Sequence, residues 1–593
     1  MAGRVVAVIG ARLNSSRLPG KQLLPLAGKP LIERLVNRLE RADGIDHIML
    51  ATTADDYNKP LRDWATGYGL DCLAYAGDVN DLVGRVDTAV KQSGADHLLY
   101  VCGDSPLVEP STISRLIAAM QANPDAGTAH LKANKPGGKF VHEGFDIYER
   151  SFWDATVAVA HEPFEREHIG AVYHHLHKVA PKAVAWVREP AVFEGVDHRV
   201  SVDTPSDYRF MRRIYEDWYA EHPADSLVDL THVLKRVATE PGLAAINKHV
   251  HQKRVAEKNP SVAIITEIAP HIGLGHLSRS LVAAAALQDY LGAKVTLYIK
   301  GEPVEREELA LIPHRWYAEE GEAGVLGRVQ ADVVIVDVKA HSRALDHWLH
   351  SAGKGLLRIA IDPLAGEEAA FDHVWLPSFF AAKTTRQRLN GRMSFGWDHY
   401  LIAPSHGGGQ VAPEEDKIRL LVLTGGGDVA GMAGVWPELC AEKLPGNVHV
   451  NWVVGPYAAE PEIPPGLEGR CTLAHRPNGI HALAAASDVV LCVFGVSFFE
   501  ALQTGKPVIV ADPIGAALPE EWAALREALP GFVASSPEEA VDLLADYLGG
   551  KAAVGADIDE VRRAISQGPE KFALCVNALI AAKEGAHGRR ATA

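Results

Sequence analysis

Two series of short apolar runs pass through the 593-residue sequence, and stretches with helical spacing separate the runs. The first series occupies residues 1–210, and the second starts at Ser261. Strand patterns that alternate with helical patterns predict βαβ units with mainly parallel sheets, because the crossover helices cover the faces of such sheets. The chain is therefore predicted to be an α/β protein with two parts.

Two polar passages set the predicted domain boundaries. Asn247–Pro260 is cationic and predicts a linker, and the Gly/Pro-rich passage Pro404–Lys417 divides the second part into two halves. The predicted domains are 1–246, a linker at 247–260, two lobes at 261–404 and 405–583, and a disordered tail at 584–593. The predicted strands are Arg4–Ile9, His47–Ala51, His97–Val101, Ser261–Ala269, Lys294–Ile299, Asp332–Val336, Leu357–Ile361, Ile418–Leu423, Val448–Val454, Val489–Val493 and Pro507–Val510.

Charge and cysteine content exclude several classes of function. With 59 Lys and Arg against 75 Asp and Glu, the net charge of −16 argues against nucleic acid or an anionic membrane as a partner. The 6 cysteines are widely spaced and form no C-x-x-C pair, which indicates a reducing compartment. No apolar run approaches the ~20 residues of a membrane span, and the N-terminus has no signal-peptide pattern. A cytoplasmic location is expected.

A basic loop, "ARLNSSRLPGK" (Ala11–Lys21), follows the first predicted strand. Ligands of open α/β sheets bind where loops leave the carboxyl ends of strands. The small residue Ser15 lets the backbone approach a ligand, and Arg12, Arg17 and Lys21 supply positive charge that suits a triphosphate. The alternative is a surface loop with incidental cations.

Two aspartates follow other predicted strands. Asp104 lies in "CGDSPL" after His97–Val101, and Asp203 lies in "RVSVDTPSDY" after a further short run. Two carboxylates at such positions are suited to Mg²⁺, which prefers oxygen ligands and bridges phosphates. Taken alone, each aspartate is more typical of a turn or a helix cap than of a metal ligand. Together with the basic loop, they form the set needed for attack on an α-phosphate.

The N-terminal part resembles the sugar cytidylyltransferases of the spore-coat-polysaccharide type, which are related to the CMP-Kdo, CMP-sialate and pseudaminic acid cytidylyltransferases. The resemblance rests on "ARLNSSRLPGKQLLPLAGKPLIERLVNRL", "GDVNDLVGR", "CGDSPLV", "GFDI", "FEREHI" and "VDTPSDYRF". It implies a GT-A-like nucleotidyltransferase fold that binds CTP, an acidic sugar and Mg²⁺. The implied site residues are Ala11, Arg12, Ser15, Arg17, Lys21, Asp81 and Arg85 for the nucleotide, with Arg17 and Lys21 also catalytic, and Asp104 and Asp203 for the metal.

Two further motifs of this part are ambiguous. In "FEREHI", Arg166 and His168 are candidates to contact an acidic sugar, although a structural Glu–Arg pair is an equal alternative. The run "HHLH" (His174–His177) has helical spacing and no carboxylate nearby in the sequence, so solvated or packed histidines are favoured over metal ligands.

The second part has its own glycine-rich loops. "IGLGHLSRS" (Ile272–Ser280) predicts a tight turn and a helix start at which His276 is either a base or a cap. "TGGGD" (Thr424–Asp428) predicts a backbone phosphate site. Ser497 and Glu500 fall at the start of a predicted helix, where Glu500 either binds a ribose or is simply a favourable first-turn acid.

These loops resemble the GT-B-fold nucleotide-sugar hydrolase of pseudaminic acid biosynthesis, which implies a pair of Rossmann-type lobes and a UDP-sugar substrate. The resemblance implies catalytic roles for His276 and Asp337 and nucleotide contacts by Gly275, Gly426, Gly427, Ser497 and Glu500. Two segments depart from the family pattern, "DVKAH" (Asp337–His341) and "IDPL", in which only Asp362 is retained. These departures leave the reaction open.

The two resemblances together predict a bifunctional enzyme of nonulosonate-type sugar activation for surface glycans or flagellin glycosylation. It would release a hexose from UDP and would form a CMP-sugar from an acidic sugar. The alternatives are a cytidylyltransferase fused to a GT-B glycosyltransferase, or to a sensor that binds a nucleotide sugar without catalysis. The expected partners are CTP, an acidic sugar and a UDP-sugar, without nucleic acid or membrane, and the sequence leaves a homodimer open.

Overall fold

The computed structural model describes residues 3–133, 140–141, 144–250, 259–351, 353, 355–364, 366–403, 417–475, 477, 479–551 and 558–591. The chain divides into two compact units, Met1–Val250 and His251–Ala593. The division falls inside the segment predicted as a linker. Linker residues 251–258, residues 404–416 of the Gly/Pro-rich passage and residues 592–593 of the predicted tail lie outside the described residues.

The described strands of the first unit form one large sheet and a short hairpin. The strands are β1 (Val5–Gly10), β2 (Pro25–Leu26), β3 (Lys29–Pro30), β4 (His47–Thr53), β5 (Asp71–Tyr75), β6 (His97–Cys102), β7 (Ala126–Lys132), β8 (Phe145–Glu149) and β9 (Ala183–Arg188). The large sheet has the order β5-β4-β1-β6-β8-β7-β9, and β2 pairs with β3. β8 runs antiparallel to both of its neighbours, while the other pairs of the large sheet are parallel.

Helices cover both faces of this sheet. They are α1 (Leu31–Leu39), α2 (Lys59–Tyr68), α3 (Leu82–Ser93), α4 (Pro110–Ala122), α5 (Arg150–Val159), α6 (Pro163–Glu167), α7 (Pro205–Glu221), α8 (Leu230–Thr239) and α9 (Pro241–Ala245). The continuous apolar run of β1 has a simple cause: Val5, Ala7 and Ile9 lie in one core, and Val6 and Val8 lie in the core on the opposite face. A strand buried on both faces needs no polar alternation. Its carboxyl end leads directly into the basic loop.

The second unit contains two all-parallel sheets. The strands of the first are β10 (Ser261–Glu267), β11 (Lys294–Lys300), β12 (His314–Tyr317), β13 (Val333–Asp337), β14 (Leu357–Ile361), β15 (His373–Trp375) and β16 (Met393–Ser394). Those of the second are β17 (Ile418–Leu423), β18 (Val448–Val454), β19 (Cys471–His475), β20 (Val489–Val493), β21 (Val508–Ala511) and β22 (Val533–Ala534). The orders are β12-β11-β10-β13-β14-β15-β16 and β19-β18-β17-β20-β21-β22.

Both orders reverse beside the first strand of the sheet, as in the doubly wound dinucleotide-binding fold. The helices of this unit are α10 (Gly275–Leu291), α11 (Glu322–Leu326), α12 (Arg343–Ser351), α13 (Lys383–Leu389), α14 (Trp436–Lys443), α15 (His481–Ala485), α16 (Val496–Gln503), α17 (Pro519–Ala528), α18 (Pro537–Leu548), α19 (Ile558–Ser566) and α20 (Gly568–Ala591). The prediction of two Rossmann-type lobes thus agrees with the strand order. The points of reversal lie at β10/β13 and β17/β20, where ligands of such sheets bind.

Three predicted boundaries differ from the structure. Asn247, predicted as linker, is 1% exposed and belongs to the first unit. The helix α20, which begins inside the predicted second lobe, packs with Phe572, Ala573 and Val576 in the core of the first lobe. It continues to Ala591, so residues 584–591 are helical where a disordered tail was predicted. Among the described residues, no helix is long and apolar enough to span a membrane.

Candidate active sites

Lys21 is the centre of the polar cluster at the carboxyl edge of the first sheet. Its Nζ donates to Asp104 Oδ2, to Asp203 Oδ1 and to the carbonyl of Val202, each at 2.8 Å. Burial lowers the pKa of this ammonium, but the two carboxylates outweigh burial and raise the pKa above its ordinary value. The structure therefore joins Lys21, Asp104 and Asp203, which the sequence predicted to share one site.

Asp203 is surrounded by cations. Arg17 Nη2 lies 3.1 Å from its Oδ2, and the guanidinium of Arg199 contacts the same oxygen. Burial would raise the pKa of Asp203, but Lys21, Arg17 and Arg199 together lower it far below the ordinary value. Arg199 was missed in the sequence, although its position four residues before Asp203 is a signal that could have revealed it.

Asp207 and Asn247 hold the segment that carries Asp203 in place. The carboxylate of Asp207 accepts hydrogen bonds from the amides of Asp203 and Thr204, both at 3.1 Å, and thereby starts α7. Asn247 Nδ2 donates to Asp207 Oδ1 at 3.0 Å and to the carbonyl of Arg199 at 3.1 Å. The last residues of the first unit are thus bonded to the segment that carries Asp203.

Backbone amides of the basic loop donate the hydrogen bonds that hold it in place. The amide of Gly20 donates to Leu13 O at 2.7 Å, and the amide of Leu13 donates to Asn58 Oδ1 at 2.6 Å. Ser15 Oγ accepts from an amide within the loop at 3.3 Å. Ala11, predicted to bind the nucleotide, is buried and its amide donates to Ala51 O at 3.2 Å, so this N–H is not available to a phosphate.

A second group of charges surrounds the start of α3. Asp81 accepts from the amide of Gly84 at 2.8 Å and from Arg166 Nη2 at 2.6 Å. Arg12 Nη1 donates to Asn80 Oδ1 at 2.8 Å. Arg166 is therefore paired, but with Asp81 rather than with a glutamate of its own motif. His168 lies at the end of α6, where its ring is 4.9 Å from that of Phe164.

Arg85 is the most informative residue of this group. It lies in α3, is 3% exposed, and among the described residues its Nε and Nη1 have no hydrogen-bond partner. Burial, with a smaller contribution from the charge of Arg12, lowers its pKa to about 10, and it remains charged at neutral pH. Two buried guanidinium nitrogens without partners are costly unless an anion binds them. The position suits a phosphate or a carboxylate.

In the histidine run "HHLH", the ring of His174 packs against that of Tyr173, as favoured for this run, but it also has a partner that the sequence did not show. His174 Nε2 lies 3.3 Å from Asp146 Oδ1, so a carboxylate partner does exist, 28 residues away in the chain. The separation explains why the sequence did not reveal the pair.

In the second unit, His276 and Asp337 form a close pair. His276 Nδ1 lies 2.6 Å from Asp337 Oδ1. Burial raises the pKa of Asp337, but Arg279 and then His276 outweigh burial and lower it. Arg279 Nη2 also lies 3.0 Å from this Nδ1. In the tautomer with its proton on Nδ1, the imidazole donates to the carboxylate and Nε2 is left to accept a proton.

Arg279 orders this pair. Its Nη2 lies 2.7 Å from Asp337 Oδ1, and its Nη1 lies 3.3 Å from Asp362 Oδ2. Asp337 and Asp362 end or follow the neighbouring strands β13 and β14, so parallel pairing places both at the same edge. The run "DVKAH", which departs from the family pattern, is held by its backbone. The amide of Lys339 donates to Glu267 at 2.7 Å, and that of His341 donates to Glu367 at 2.8 Å.

The glycine-rich loops of the two lobes meet. A Cβ added to Gly427 would lie 2.8 Å from Pro270 O, and one added to Gly426 would lie 3.2 Å from Leu274 Cγ. A Cβ on Gly275 would lie 3.5 Å from Val496 Cγ2, at the start of α16. The sequence predicted these loops separately, and the structure brings them together between the lobes.

The remaining predicted residues of this cleft lie on α16. Ser497 and Glu500 are both partly buried. Burial raises the pKa of Glu500 to about 7; Arg306 of the other lobe lowers it, and Glu308 raises it. Arg306, which the sequence did not suggest, binds Glu308 at 2.9 and 3.2 Å.

Residues 6–178 match the family model described as cytidylyltransferase. Part of the first unit is therefore similar to the cytidylyltransferases. The mitochondrial 3-deoxy-manno-octulosonate cytidylyltransferase of Arabidopsis thaliana is 35% identical over 125 residues, which cover 21% of this chain and 42% of that protein. The chain thus spans less than half the length of this curated relative.

Two solved structures are also similar. A cytidylyltransferase from Leptospira borgpetersenii serovar Hardjo-bovis is 21% identical and covers 42% of this chain and 100% of its own, with a TM-score of 0.36. The glycotransferase of kitacinnamycin is 11% identical and covers 55% of this chain and 100% of its own, with a TM-score of 0.39. Because both TM-scores are low, the fold assignment rests on the strand order of this chain.

The matched residues include part of the site described above. Lys21, Arg85 and Asp104 lie inside residues 6–178, whereas Asp203 and Asn247 lie beyond them. Lys21 therefore links the two segments, because it contacts Asp104 inside the matched residues and Asp203 beyond them.

Proposed function

We propose that the first unit transfers the cytidylyl group of CTP to a hydroxyl of an acidic, nonulosonate-type sugar. The sugar oxygen bonds to the α-phosphorus, the bond from that phosphorus to the bridging oxygen breaks, and pyrophosphate leaves. The observation that carries the proposal is the cluster of Lys21, Arg17 and Arg199 on Asp203, next to a domain match for cytidylyltransferases. Such a reaction depends mainly on positioning and on neutralising phosphate charge.

The unpaired Arg85 supports an anionic ligand at the same edge. Its buried Nε and Nη1 would gain partners from a phosphate or from the carboxylate of the acidic sugar. Arg12, whose charge affects the pKa of Arg85, adds to the positive potential there. We assign this region to the anionic groups of the substrates.

Asp104 and Asp203 fit Mg²⁺. Both direct an oxygen to the same Lys21 Nζ at 2.8 Å, so they are close enough to share one cation. Among the described residues no group of three or more His, Cys, Asp or Glu side chains is suited to a metal, so phosphate and water oxygens would complete the set. When bound, Mg²⁺ would neutralise charge on the triphosphate.

For the second unit, we propose that a UDP-sugar binds between the lobes and that its glycosidic bond is cleaved at the anomeric carbon. The support is the His276–Asp337 pair, which leaves Nε2 of the imidazole free to take a proton from water. The same nitrogen would serve equally for an acceptor hydroxyl, so glycosyl transfer is the second candidate. A sensor that binds without catalysis is the third.

The two proposed activities fit one route, in which a hexose released from UDP is extended elsewhere to an acidic sugar and then activated as a CMP-sugar. Such products serve surface glycans or flagellin glycosylation. We place this chemistry in the cytoplasm, where CTP and UDP-sugars are made, and a homodimer remains compatible with it.

Product analysis by mass spectrometry tests both proposals. The full chain is incubated with CTP, Mg²⁺ and a panel of 2-keto-3-deoxy acids, and separately with UDP-sugars with and without sugar acceptors. A CMP-sugar in the first assay supports cytidylyl transfer, and its absence for every acid would refute it. A free sugar without acceptor indicates hydrolysis, an acceptor-dependent product indicates transfer, and binding without any product indicates the sensor.

A further inference from the structure

An aromatic cluster borders the carboxylate-rich edge of the first unit. Trp186 of β9 is 60% exposed and faces His130, which pairs with it across β7 and β9. The rings of His130 and Trp186 are 5.8 Å apart, and those of His130 and Tyr173 are 5.7 Å apart and stacked. His174 lies 5.3 Å from His130, edge to face. We call these four residues the aromatic platform.

Two polar contacts hold the rings of the platform in place. His130 Nε2 lies 3.0 Å from the hydroxyl of Tyr173, and His174 Nε2 lies 3.3 Å from Asp146 Oδ1. Burial, and secondarily His174, lowers the pKa of His130, so its ring is uncharged at neutral pH. The platform therefore presents ring faces that are held in one arrangement, with a carboxylate at one side.

Core packing does not account for Trp186. On β9, Ala185 and Val187 point into the core, whereas Trp186 points to the opposite side and remains mostly exposed. A tryptophan that is exposed to this extent contributes little to the core. Its position beside histidines and a tyrosine is typical of a binding surface with a few placed polar groups.

The platform lies next to the proposed reaction centre. Asp146 pairs with Tyr100 across β8 and β6, and the amide of Cys102, at the end of β6, donates to Gly144 O at 2.7 Å. Asp146, which His174 contacts, therefore lies beside β6, and β6 ends at Cys102, shortly before Asp104.

We propose that the aromatic platform binds the sugar acceptor, with the apolar face of the sugar stacked on Trp186 and its hydroxyls directed to Asp146 and His174. The proposal rests on the proposed cytidylyl transfer and adds an orientation. The sugar carboxylate would point away from Asp146, towards the cations around Arg85. The platform would thus recognise the part of the sugar that lies far from the carboxylate.

Steady-state pyrophosphate release tests the platform. The full chain and its variants Trp186→Ala and Trp186→Phe are assayed with CTP, Mg²⁺ and either 3-deoxy-manno-octulosonate or N-acetylneuraminate. We expect Trp186→Ala to raise the KM for the sugar roughly 10-fold, equal to about 1.4 kcal/mol, with the KM for CTP and kcat unchanged. Trp186→Phe, which keeps a ring face, should restore most of the affinity. Val192→Ala trims another exposed apolar side chain and should change neither KM.

Three outcomes decide between the explanations. An unchanged sugar KM in Trp186→Ala overturns the platform. An unchanged sugar KM combined with a smaller mass in light scattering also overturns it and assigns Trp186 to a contact between copies of this chain. If the wild type releases no pyrophosphate with either sugar or with any other acid of the panel, cytidylyl transfer fails, and saturation-transfer NMR decides the platform separately. Signal from 3-deoxy-manno-octulosonate that disappears in Trp186→Ala supports it, and equal or absent signal overturns it.

Discussion

Replacing Glu500 by glutamine should change how the stability of the second unit depends on pH. Burial raises the pKa of this carboxyl to about 7 from an ordinary value of 4.5, because Arg306 only partly offsets the loss of water. Arg306 also forms an ion pair with Glu308, and this pairing weakens the effect of the Arg306 charge on Glu500. Glutamine keeps the size of the side chain and removes the titration.

The sign of the effect follows from proton binding. A carboxyl whose folded pKa exceeds its unfolded value contributes stability that is complete below the unfolded value of 4.5 and is lost as the pH rises through the folded value of about 7. A difference of roughly 2.5 pKa units at about 1.36 kcal/mol each gives about 3 kcal/mol over the whole range. Above this range, the contribution of Glu500 no longer changes with pH.

Hydrogen exchange measured by mass spectrometry isolates the second unit. Peptides that cover β20 and α16 report the free energy of opening at pH 5 and pH 8, after correction for intrinsic exchange. We expect the stability of Glu500→Gln relative to wild type to rise by about 2–3 kcal/mol between these pH values. Glu442→Gln, at an exposed position on α14, should show no such change. An equal difference at both pH values would mean that Glu500 ionises as if in water, and would refute the argument from burial.

Three other predictions concern the proposed chemistry. Asp104→Asn and Asp203→Asn should each abolish Mg²⁺- and CTP-dependent pyrophosphate release without loss of circular dichroism, and near-wild-type turnover would remove that residue from the metal site. His276→Ala should lower kcat for UDP-sugar cleavage by about 10²–10⁴-fold while UDP affinity by calorimetry stays constant; lost affinity at unchanged kcat would make it a phosphate ligand. Asn247→Ala removes one buried and one partly buried hydrogen bond, so the first unit should lose about 1–3 kcal/mol in urea unfolding, and an unchanged midpoint would contradict its structural role.

The strands and the local motifs were predictable from sequence. Strands β1, β14, β17, β18 and β20 lie where short apolar runs predicted them, with differences of a residue at most. A run such as Val5–Gly10 has to be buried on both faces, and this requirement is visible in the residues themselves. The loop Ala11–Lys21 was predictable for the same reason, since it follows such a strand directly.

The partners of the charged residues depended on the tertiary structure. Lys21 meets Asp203 across 182 residues, and Arg166 meets Asp81 across 85. Sequence motifs placed these residues at one site, but they did not show which carboxylate each cation would bind. Arg85 is the clearest example. Whether its Nε and Nη1 are buried without partners depends on all the segments that pack around α3.

Local sequence therefore determined where the strands, turns and helix starts of this protein lie, because backbone preferences and burial periodicity act over a few residues. The tertiary structure alone decided that Asn247 belongs to the first unit, that α20 returns to the first lobe, and that His174 pairs with Asp146. Each of these contacts joins segments that are distant in the chain. Their formation depends on which surfaces the folded sheets bring together, and a one-dimensional pattern does not contain that information.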